Sequence, residues 1–402
     1  MSSKSIKVSY AKTVYGREEI AAVVKTLEKS TQMGSHTRKL EDGIAKLFDK
    51  KFGIMVNSGS SALQLAVEVL NLPPKSEIIT PALSFSTTIG SIVKNGHIPS
   101  FVDVEEASFC IDPDKIERVI TNKTRAILAP NLLGNICQWD KIAKIAKKHG
   151  LKIIEDSADT LGGSLKNVST GKYSDISTTS FYGSHIISCA GNGGMLCVNS
   201  RDYLREAQLL RSWGRSSSVF VDSEALENRF RVRIANMNYD AKFIFEKIGY
   251  NYEPSEIGAA FGLIQLKNLY KNIKTREKNF RRQYNFFKAY QNWFILPQQN
   301  PSAITGWLAF PIIVKDKAPF SRNELQIFLE KKNIQTRVIF TGNALKQPAF
   351  KNIKKRISRD GYENADNVMR GGILLACHHG LTEEIFEYMH EVLSKFLDNY
   401  EK

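Results

Sequence analysis

The sequence predicts an α/β protein with one large mixed-sheet domain followed by a smaller α+β C-terminal domain. Short apolar runs alternate with helical patterns between about residues 52 and 200, which is typical of a sheet covered by helices. The last strand candidates are too close together for helical crossovers, so some neighbouring strands should be antiparallel. A long basic helical pattern then leads into a second, shorter set of elements. We therefore expect a large domain over residues 1–265 and a small domain over residues 266–402.

The individual elements follow from apolar periodicity along the chain. Strands are predicted at residues 52–56, 77–80, 98–104, 125–130, 151–155, 176–181 and 194–199, with helices at residues 60–70, 87–95, 139–149 and 201–213. The second part should contain a long helix at residues 256–293, strands at 306–314 and 336–340, and helices at 321–332 and 382–397.

Composition narrows the class of protein. A hydrophobic content of 42% and a charged content of 24% are typical of a globular protein. The five cysteines are scattered without a Cys-x-x-Cys pair, which predicts reduced thiols and no metal site. The net charge of +15 is spread along the chain without a nucleic-acid-binding motif, so we expect an anionic small substrate and no nucleic acid. Neither a signal peptide nor a membrane span is evident, which predicts a cytoplasmic protein with no membrane partner.

Several polar segments follow predicted strands, where ligands of α/β sheets collect. Gly59, Ser60 and Ser61 lie where a strand turns into a helix, and helix N-termini bind phosphate. Taken alone, this turn is better explained as an ordinary helix cap. Asp156 and Asp159 follow a buried strand in the segment Ile-Ile-Glu-Asp-Ser-Ala-Asp. These carboxylates could otherwise be solvated strand-end residues.

Three further segments extend this pattern. Phe85 lies in Pro-Ala-Leu-Ser-Phe, and on its own it would be an ordinary core phenylalanine. Ser180 and His185 belong to Ser-Phe-Tyr-Gly-Ser-His, which is followed by a Gly-Asn-Gly-Gly return at residues 191–194. Asn251 lies in Gly-Tyr-Asn-Tyr-Glu-Pro, where it could also cap a helix. An isolated histidine is usually structural, but the position of His185 at a strand end beside a glycine-rich turn favours a functional interpretation.

In this order, the segments resemble the DegT/DnrJ/EryC1/StrS family of sugar aminotransferases, which use pyridoxal phosphate (PLP). The resemblance spans roughly residues 10–395 and implies PLP-dependent transferase fold type I (aspartate aminotransferase-like). It also implies that an aromatic ring stacks on the cofactor and that a carboxylate contacts the ring nitrogen. The implied cofactor-binding residues are Gly59, Ser60, Ser61 and Ser180 at the phosphate, Phe85 on the ring face, Asp156 at the ring nitrogen, Asp159 nearby, and Asn251 at the phosphate of the neighbouring subunit. The last of these implies a homodimer with shared active sites.

His185 occupies the position of the family's cofactor-binding lysine, and no lysine occurs between Lys172 and Lys242. Imidazole cannot form the covalent bond that a lysine amine forms, but it carries protons near neutral pH. The resemblance therefore implies a non-covalently bound cofactor and catalysis by His185. Five residues separate His185 from Gly191, whereas the family pattern has four. Counting backward from the glycines would place Ile186 at the lysine position instead.

The histidine resembles that of the nucleotide-sugar 3-dehydratase branch of this family. That branch implies a nucleotide-linked 4-keto-6-deoxy sugar as substrate, L-glutamate as the donor that regenerates pyridoxamine phosphate (PMP), and a 3-deoxy-4-keto sugar as product. Arg337 and Asn343 match a segment near the sugar nucleotide. A related branch holds an iron–sulfur cluster through cysteines, whereas serines occupy positions 216–218 here, so we expect no iron–sulfur cluster. The alternatives are a nucleotide-sugar aminotransferase and a non-catalytic binding or regulatory protein.

Overall fold

The computed structural model describes residues 6–220, 222 and 224–400, and a seven-stranded sheet lies at its centre. Its strands are β1 (Phe52–Val56), β2 (Glu77–Pro81), β3 (Ile98–Val102), β4 (Thr124–Pro130), β5 (Lys152–Asp156), β6 (Ile176–Ser180) and β7 (Gly194–Val198). They are ordered β1-β7-β6-β5-β4-β2-β3, and β7 runs antiparallel to both of its neighbours while the other pairs are parallel. The predicted mixed sheet is therefore confirmed.

Helices cover both faces of this sheet and surround the smaller part. In chain order they are α1 (Arg17–Leu27), α2 (Ser35–Leu47), α3 (Gly59–Glu68), α4 (Ser86–Lys94), α5 (Pro113–Ile116), α6 (Trp139–His149), α7 (Arg201–Arg211), α8 (Leu226–Phe230), α9 (Glu256–Lys267), α10 (Leu269–Lys288), α11 (Arg322–Lys331), α12 (Glu363–Gly371) and α13 (Glu383–Leu397). None of the helices in the described ranges is both long and apolar enough to cross a membrane.

Strands β4 and β5 carry apolar residues on both faces because helices cover both faces of the sheet. In β4, Leu128 packs into the core that contains α3 and α7, whereas Ile127 packs into the core that contains Trp139 of α6. Ile154 and Ile153 of β5 divide between the same two cores. Because β4, β5 and β6 are parallel, their carboxyl ends emerge together at one edge of the sheet.

The smaller part contains a three-stranded antiparallel sheet of β8 (Phe294–Ile295), β9 (Phe310–Val314) and β10 (Gly372–Leu375). Val8 is buried in the hydrophobic core of this smaller part and pairs with Ile334, so residues near the N-terminus contact the C-terminal part. The division at residues 1–265 and 266–402 stays a prediction. Its outer ends, residues 1–5 and 401–402, lie outside the described residues.

Three predicted elements are wrong in extent or type. The helix expected at residues 256–293 is two helices that meet at Asn268, whose N–H bonds to the Gln265 carbonyl and closes α9. The strand expected at residues 306–314 starts only at Phe310. Residues 336–340 form no strand, because Arg337 makes a single bridge to Leu374 before the chain turns at Phe340 with φ 40°.

Candidate active site

A cavity of about 580 Å³ lies at the carboxyl ends of the central strands and reaches toward the smaller part. A pocket of this size at a sheet edge is typical of a small-molecule site. Most of the site residues predicted from the sequence line it. These are Gly59, Ser60, Phe85, Asp156, Asp159, Ser180, His185 and Arg337.

One end of the cavity is formed by the start of α3. Ser58 caps this helix by accepting a hydrogen bond from the Ser61 N–H at 3.1 Å. Gly59 touches the end of β6 so closely that an added Cβ would lie 2.6 Å from Cβ of Ser180. The helix N–H groups at Gly59 and Ser60 and the Ser180 hydroxyl therefore converge on one anion-sized space.

The middle of the cavity can hold a flat ring. Phe85 is 53% exposed, lines the cavity and meets Phe340 edge to face at a centroid distance of 5.7 Å. Asp156, at the end of β5, accepts hydrogen bonds from Thr88 Oγ1 at 2.9 Å and the Ala158 N–H at 3.2 Å. Burial raises the pKa of Asp156 to about 6, against the lowering effect of these hydrogen bonds. A cationic ring nitrogen beside Asp156 would compensate for that burial.

His185 presents one ring nitrogen to this space. Its Nδ1 lies 3.1 Å from the Ser180 carbonyl, which can only accept, so Nδ1 carries the proton and Nε2 has the free lone pair. Burial lowers the pKa of His185 to about 4, and the nearby Arg276 charge lowers it further, while the bond to Ser180 opposes both. The imidazole is therefore neutral near pH 7, and Nε2 can accept a proton.

Asp159 is the nearest carboxylate to this imidazole. Its Oδ1 lies 3.8 Å from His185 Nε2, which is longer than a hydrogen bond, while its Oδ2 accepts from the Leu133 N–H at 2.8 Å. Burial raises the pKa of Asp159 to about 7, and the Leu133 hydrogen bond only partly offsets this. Between these two pKa values, of about 4 for His185 and about 7 for Asp159, both groups are uncharged, so the pair is not an ion pair there.

Of the two residues that the spacing leaves open, His185 lines the cavity and Ile186 does not. Ile186 is buried in the core beside Leu40 and Phe181, and its carbonyl accepts a hydrogen bond from Asn272. The loop continues into a glycine-rich turn. Ala190, Gly191 and Gly193 all have positive φ in this turn, at 57°, 113° and 147°.

Arg337 supplies the only lysine or arginine side chain among the described residues that line the cavity. Its guanidinium lies 5.5 Å from the ring centroid of Tyr10 and donates to the Thr336 carbonyl. The distance to the ring is typical of a cation–π contact. The cavity therefore has a cation on its C-terminal side, where an anionic substrate group could bind.

Three predicted site residues do not line the cavity. Ser61 donates its hydroxyl to Asn57 Oδ1 at 2.7 Å and stabilises the α3 turn from behind. Asn343 is buried, where its amide donates to Asp366 at 2.7 Å and its carbonyl oxygen caps the turn at Leu345. Asn251 is exposed, and its backbone carbonyl accepts from Asn57 Nδ2 at 3.3 Å.

The structure adds residues that the sequence did not single out. Tyr10, Thr88, Tyr182 and Asn192 line the cavity, and Thr88 also bonds directly to Asp156. Thr88, Tyr182 and Asn192 lie inside or beside the segments noted above, so their position in the sequence could have indicated that they line the site. No feature of the sequence indicated Tyr10, because it reaches the site from the N-terminal strand-like segment that pairs with the C-terminal part.

These residues fit PLP in their chemistry. An N–H cradle suits its phosphate, an aromatic face suits its ring, and a buried carboxylate suits its ring nitrogen. None of the described lining residues is a lysine. The site can therefore hold the cofactor by contacts alone, with His185 in place of a covalent anchor.

Comparison with known proteins agrees with this geometry. The chain is 34% identical over 392 residues to dTDP-4-dehydro-2,6-dideoxy-D-glucose 3-dehydratase of Saccharopolyspora spinosa, covering 94% of this chain and 84% of the relative. The solved structure of E. coli GDP-4-keto-6-deoxy-D-mannose-3-dehydratase with bound hydrated PLP superposes with a TM-score of 0.87 at 28% identity, covering 96% of this chain and 99% of that one. A structure of GDP-4-keto-6-deoxymannose-3-dehydratase with a trapped PLP-glutamate geminal diamine gives 0.86 at 27% identity, covering 96% and 100%.

The fold and the cavity are those of the PLP-dependent enzymes with an aspartate aminotransferase-like fold. The sequence profile of the DegT/DnrJ/EryC1/StrS aminotransferase family matches residues 14–394, and the chain belongs to this family.

Proposed function

We propose that the protein is a nucleotide-sugar 3-dehydratase that binds PLP and PMP non-covalently. Its substrate is a nucleotide-linked 4-keto-6-deoxy sugar, its product is the 3-deoxy-4-keto sugar, and L-glutamate is the amino donor. The observation that carries this proposal is a neutral His185 imidazole in a cavity with no lysine among its described lining residues. The likeness to two named 3-dehydratases supports the same reaction class.

Each part of the cavity has a defined task in this reaction. PMP supplies an amine for the C4 ketone and a conjugated ring that holds the electrons released when a proton leaves. The start of α3 and the Ser180 hydroxyl bind its phosphate, and Phe85 fixes the orientation of its ring. The Asp156 carboxylate keeps the ring nitrogen protonated, and Arg337 binds an anionic group of the sugar nucleotide.

His185 carries the proton that leaves carbon during the reaction. Its Nε2 accepts a proton while Nδ1–H stays bonded to the Ser180 carbonyl, so the ring does not need to reorient. The low pKa means that the imidazolium readily gives its proton up again, here to the departing C3 hydroxyl oxygen. Because imidazole cannot recapture the cofactor covalently, the unsaturated amine leaves and hydrolyses. Each sugar deoxygenated at C3 then consumes one glutamate and releases one 2-oxoglutarate and one ammonia.

The first test combines spectroscopy with product analysis. The apoprotein is loaded with PLP, treated with L-glutamate and followed by absorbance, and a second sample is reduced with borohydride and weighed by intact-mass spectrometry. We expect an aldehyde-like band to become PMP-like, with no mass added to the chain. GDP- and dTDP-linked 4-keto-6-deoxy sugars are then screened for ammonia release, with glutamate omitted as the control. A borohydride-stable adduct on the native chain would contradict the proposal.

The runner-up is a nucleotide-sugar aminotransferase, as the name of the family indicates. It would transfer the amine to the sugar, so a 4-amino sugar would accumulate and no ammonia would be released. The ratio of ammonia to 2-oxoglutarate separates the two reactions: it is about one for dehydration, from the balance above, and zero for transamination.

A non-catalytic binding or regulatory protein is the third possibility. Such a protein has no need for the buried carboxylate at Asp156, whose burial raises its pKa, or for the hydrogen bond that sets the His185 tautomer. Titration of the apoprotein with PLP decides this point, since absence of cofactor binding would favour the regulatory alternative.

We further propose a cytoplasmic homodimer with shared active sites. Large apolar side chains are exposed along one segment that precedes Asn251, which is unusual for an isolated chain. Leu226, Phe243, Phe245 and Ile248 are 69%, 61%, 56% and 98% exposed. A second copy of the chain would cover this surface and would place its Asn251 against the phosphate end of the first cavity.

Mixing two inactive variants tests the sharing of sites. We expect His185→Gln and Asn251→Ala to be impaired separately, and their mixture to regain activity after the subunits exchange. In a twofold-symmetric dimer one site of each mixed dimer has both native residues, so an equimolar mixture should reach about a quarter of native activity. No recovery despite proven subunit exchange would contradict the assignment of Asn251 to the neighbouring site.

A further inference from the structure

Behind the His185 loop lies a buried arginine that does not line the cavity. Arg276 of α10 is fully buried, and no carboxylate among the described residues lies within ion-pair distance of it. Burial lowers its pKa to about 10, so the guanidinium still carries its charge at pH 7. A buried charge without an anionic partner is costly unless hydrogen bonds replace its hydration.

Those hydrogen bonds all go to the structure around the active site. Nη2 donates to the backbone carbonyls of Ser184 at 3.5 Å and His185 at 3.3 Å. Nη1 donates to the carbonyls of Trp307 and Leu308, both at 3.0 Å, and Nε donates to His379 Nδ1 at 3.2 Å. The contacts to Trp307 and Leu308 also explain why β9 does not start before Phe310, since those carbonyls are used by Arg276.

We propose that Arg276 is a positioning residue, which fixes the backbone of the His185 loop and thereby the orientation of the catalytic imidazole. It joins three parts of the chain that are distant in sequence, namely the His185 loop, the segment that enters β9 and the histidine pair before α13. This inference deepens the proposed function and rests on the assignment of His185 as the base.

The fork geometry of arginine is what this position requires. A planar guanidinium has five N–H donors in fixed directions, and Arg276 uses all three of its nitrogens. A lysine at the same position keeps the charge but has one nitrogen, which cannot reproduce all the hydrogen bonds that the three guanidinium nitrogens make. Substitution by lysine therefore separates the effect of the fork from that of the charge.

Arg276 also acts on His185 through its charge. The titratable and charged groups that surround the two residues are Asp159 and Tyr182 beside His185, and Tyr10, Cys377, His378 and His379 beside Arg276. The charge of Arg276 lowers the pKa of His185, of His378 and of His379. Of these groups His185 and Tyr10 line the cavity, and His185 is the one whose own backbone carbonyl accepts a hydrogen bond from Arg276, so its orientation should respond most directly to a change at Arg276.

The test compares Arg276→Lys, Arg276→Met and the control Arg281→Met. Arg281 lies on the same helix, is exposed and pairs with Glu277. Long-range ¹H–¹⁵N NMR of the apoprotein reports the tautomer and pKa of His185, identified by its absence in His185→Gln. In Arg276→Met we expect the Nδ1–H preference to weaken and the pKa to rise by about one unit. The control should leave both unchanged.

The glutamate half-reaction supplies a second readout. We expect Arg276→Lys to lower the maximal rate constant of this half-reaction about 10- to 100-fold, because the base is misplaced. The glutamate concentration that gives half of the maximal rate should stay within about twofold, because binding is kept. Thermal denaturation checks folding, and if Arg276→Met does not fold, the lysine variant decides. A rate loss in Arg276→Lys with an unchanged His185 tautomer would overturn the positioning role, as would native rates in that variant.

The half-reaction and the NMR titration are common to a dehydratase and an aminotransferase. If the sugar screen yields no 3-deoxy product while the Arg276 variants behave as expected, the proposed dehydration is wrong and the role of Arg276 stands.

Discussion

Replacing His185 by glutamine is expected to lower the rate of C3 dehydration about 10³-fold while PLP still binds. Glutamine has a similar length and keeps polar atoms in the cavity, but it cannot carry a proton between carbon and oxygen. General acid–base catalysis contributes about 10²- to 10⁴-fold in enzymes, so loss of the base should be among the largest single effects. Ammonia release with a saturating 4-keto sugar nucleotide gives the rate, and equilibrium titration gives the affinity for PLP.

The companion substitution His185→Lys adds a different prediction. The lysine amine can form a covalent bond to PLP, which borohydride reduction makes permanent, so intact mass should increase by one reduced cofactor. Dehydration should weaken, because the covalently held cofactor competes with the amine that reacts with the sugar. His149→Gln is a suitable control, since His149 pairs with Glu117 at the surface away from the cavity. Undiminished dehydration in His185→Lys would refute the role of His185.

Replacing Asp156 by asparagine should slow the glutamate half-reaction by about 10²- to 10³-fold. With its amide oxygen in the place of Oδ1, the asparagine can still accept from the Ala158 N–H, and its NH2 group in the place of Oδ2 can donate to the Thr88 hydroxyl, so the local structure should persist. What is lost is the negative charge that keeps the cofactor ring nitrogen protonated. Stopped-flow absorbance measures the half-reaction, and Asp202→Asn, at an exposed position on α7, provides the control.

The same variant predicts a change in pH dependence. Without cofactor, burial raises the pKa of Asp156 to about 6, so its carboxylate becomes protonated as the pH falls through 6. A protonated Asp156 cannot stabilise a cationic ring nitrogen, and the native apoprotein should bind PLP more weakly at pH 5 than at pH 7. In Asp156→Asn the part of this dependence that comes from Asp156 should disappear. An equally steep dependence in the variant would assign the titration to another group.

The secondary structure could be predicted from the sequence where local pattern and packing agree. All seven strands of the large sheet and the helices α3, α4, α6 and α7 lie within a few residues of their predicted positions. Two of the three failures, the strands expected at residues 306–314 and 336–340, occur where a tertiary hydrogen bond takes the place of a local one. Trp307 and Leu308 read as strand residues, but their carbonyls are bonded to Arg276, and Arg337 bonds to Leu374 at only one position.

The candidate site was predictable to a similar extent. Residues at strand ends converge because parallel strands place their carboxyl ends at one edge, and this brings Ser180, Asp156 and Phe85 together. Asn343 lies in a segment that resembles a family motif, but its side chain is buried and donates a hydrogen bond to Asp366. No local sequence pattern indicates this contact. Arg276 lies in a basic helix among many similar residues, and only its burial distinguishes it.

The fold type, the order of the cofactor-binding segments and the absence of lysine between residues 172 and 242 follow from the amino-acid sequence. These properties depend on residue type and on spacing along the chain. The tertiary structure alone decided that His185, and not Ile186, faces the cavity, and that its Nε2 is the free nitrogen. It also decided that Arg276 holds this loop from behind. Tautomer, pKa and orientation depend on burial and on contacts between residues that lie far apart in sequence, and those exist only once the chain has folded.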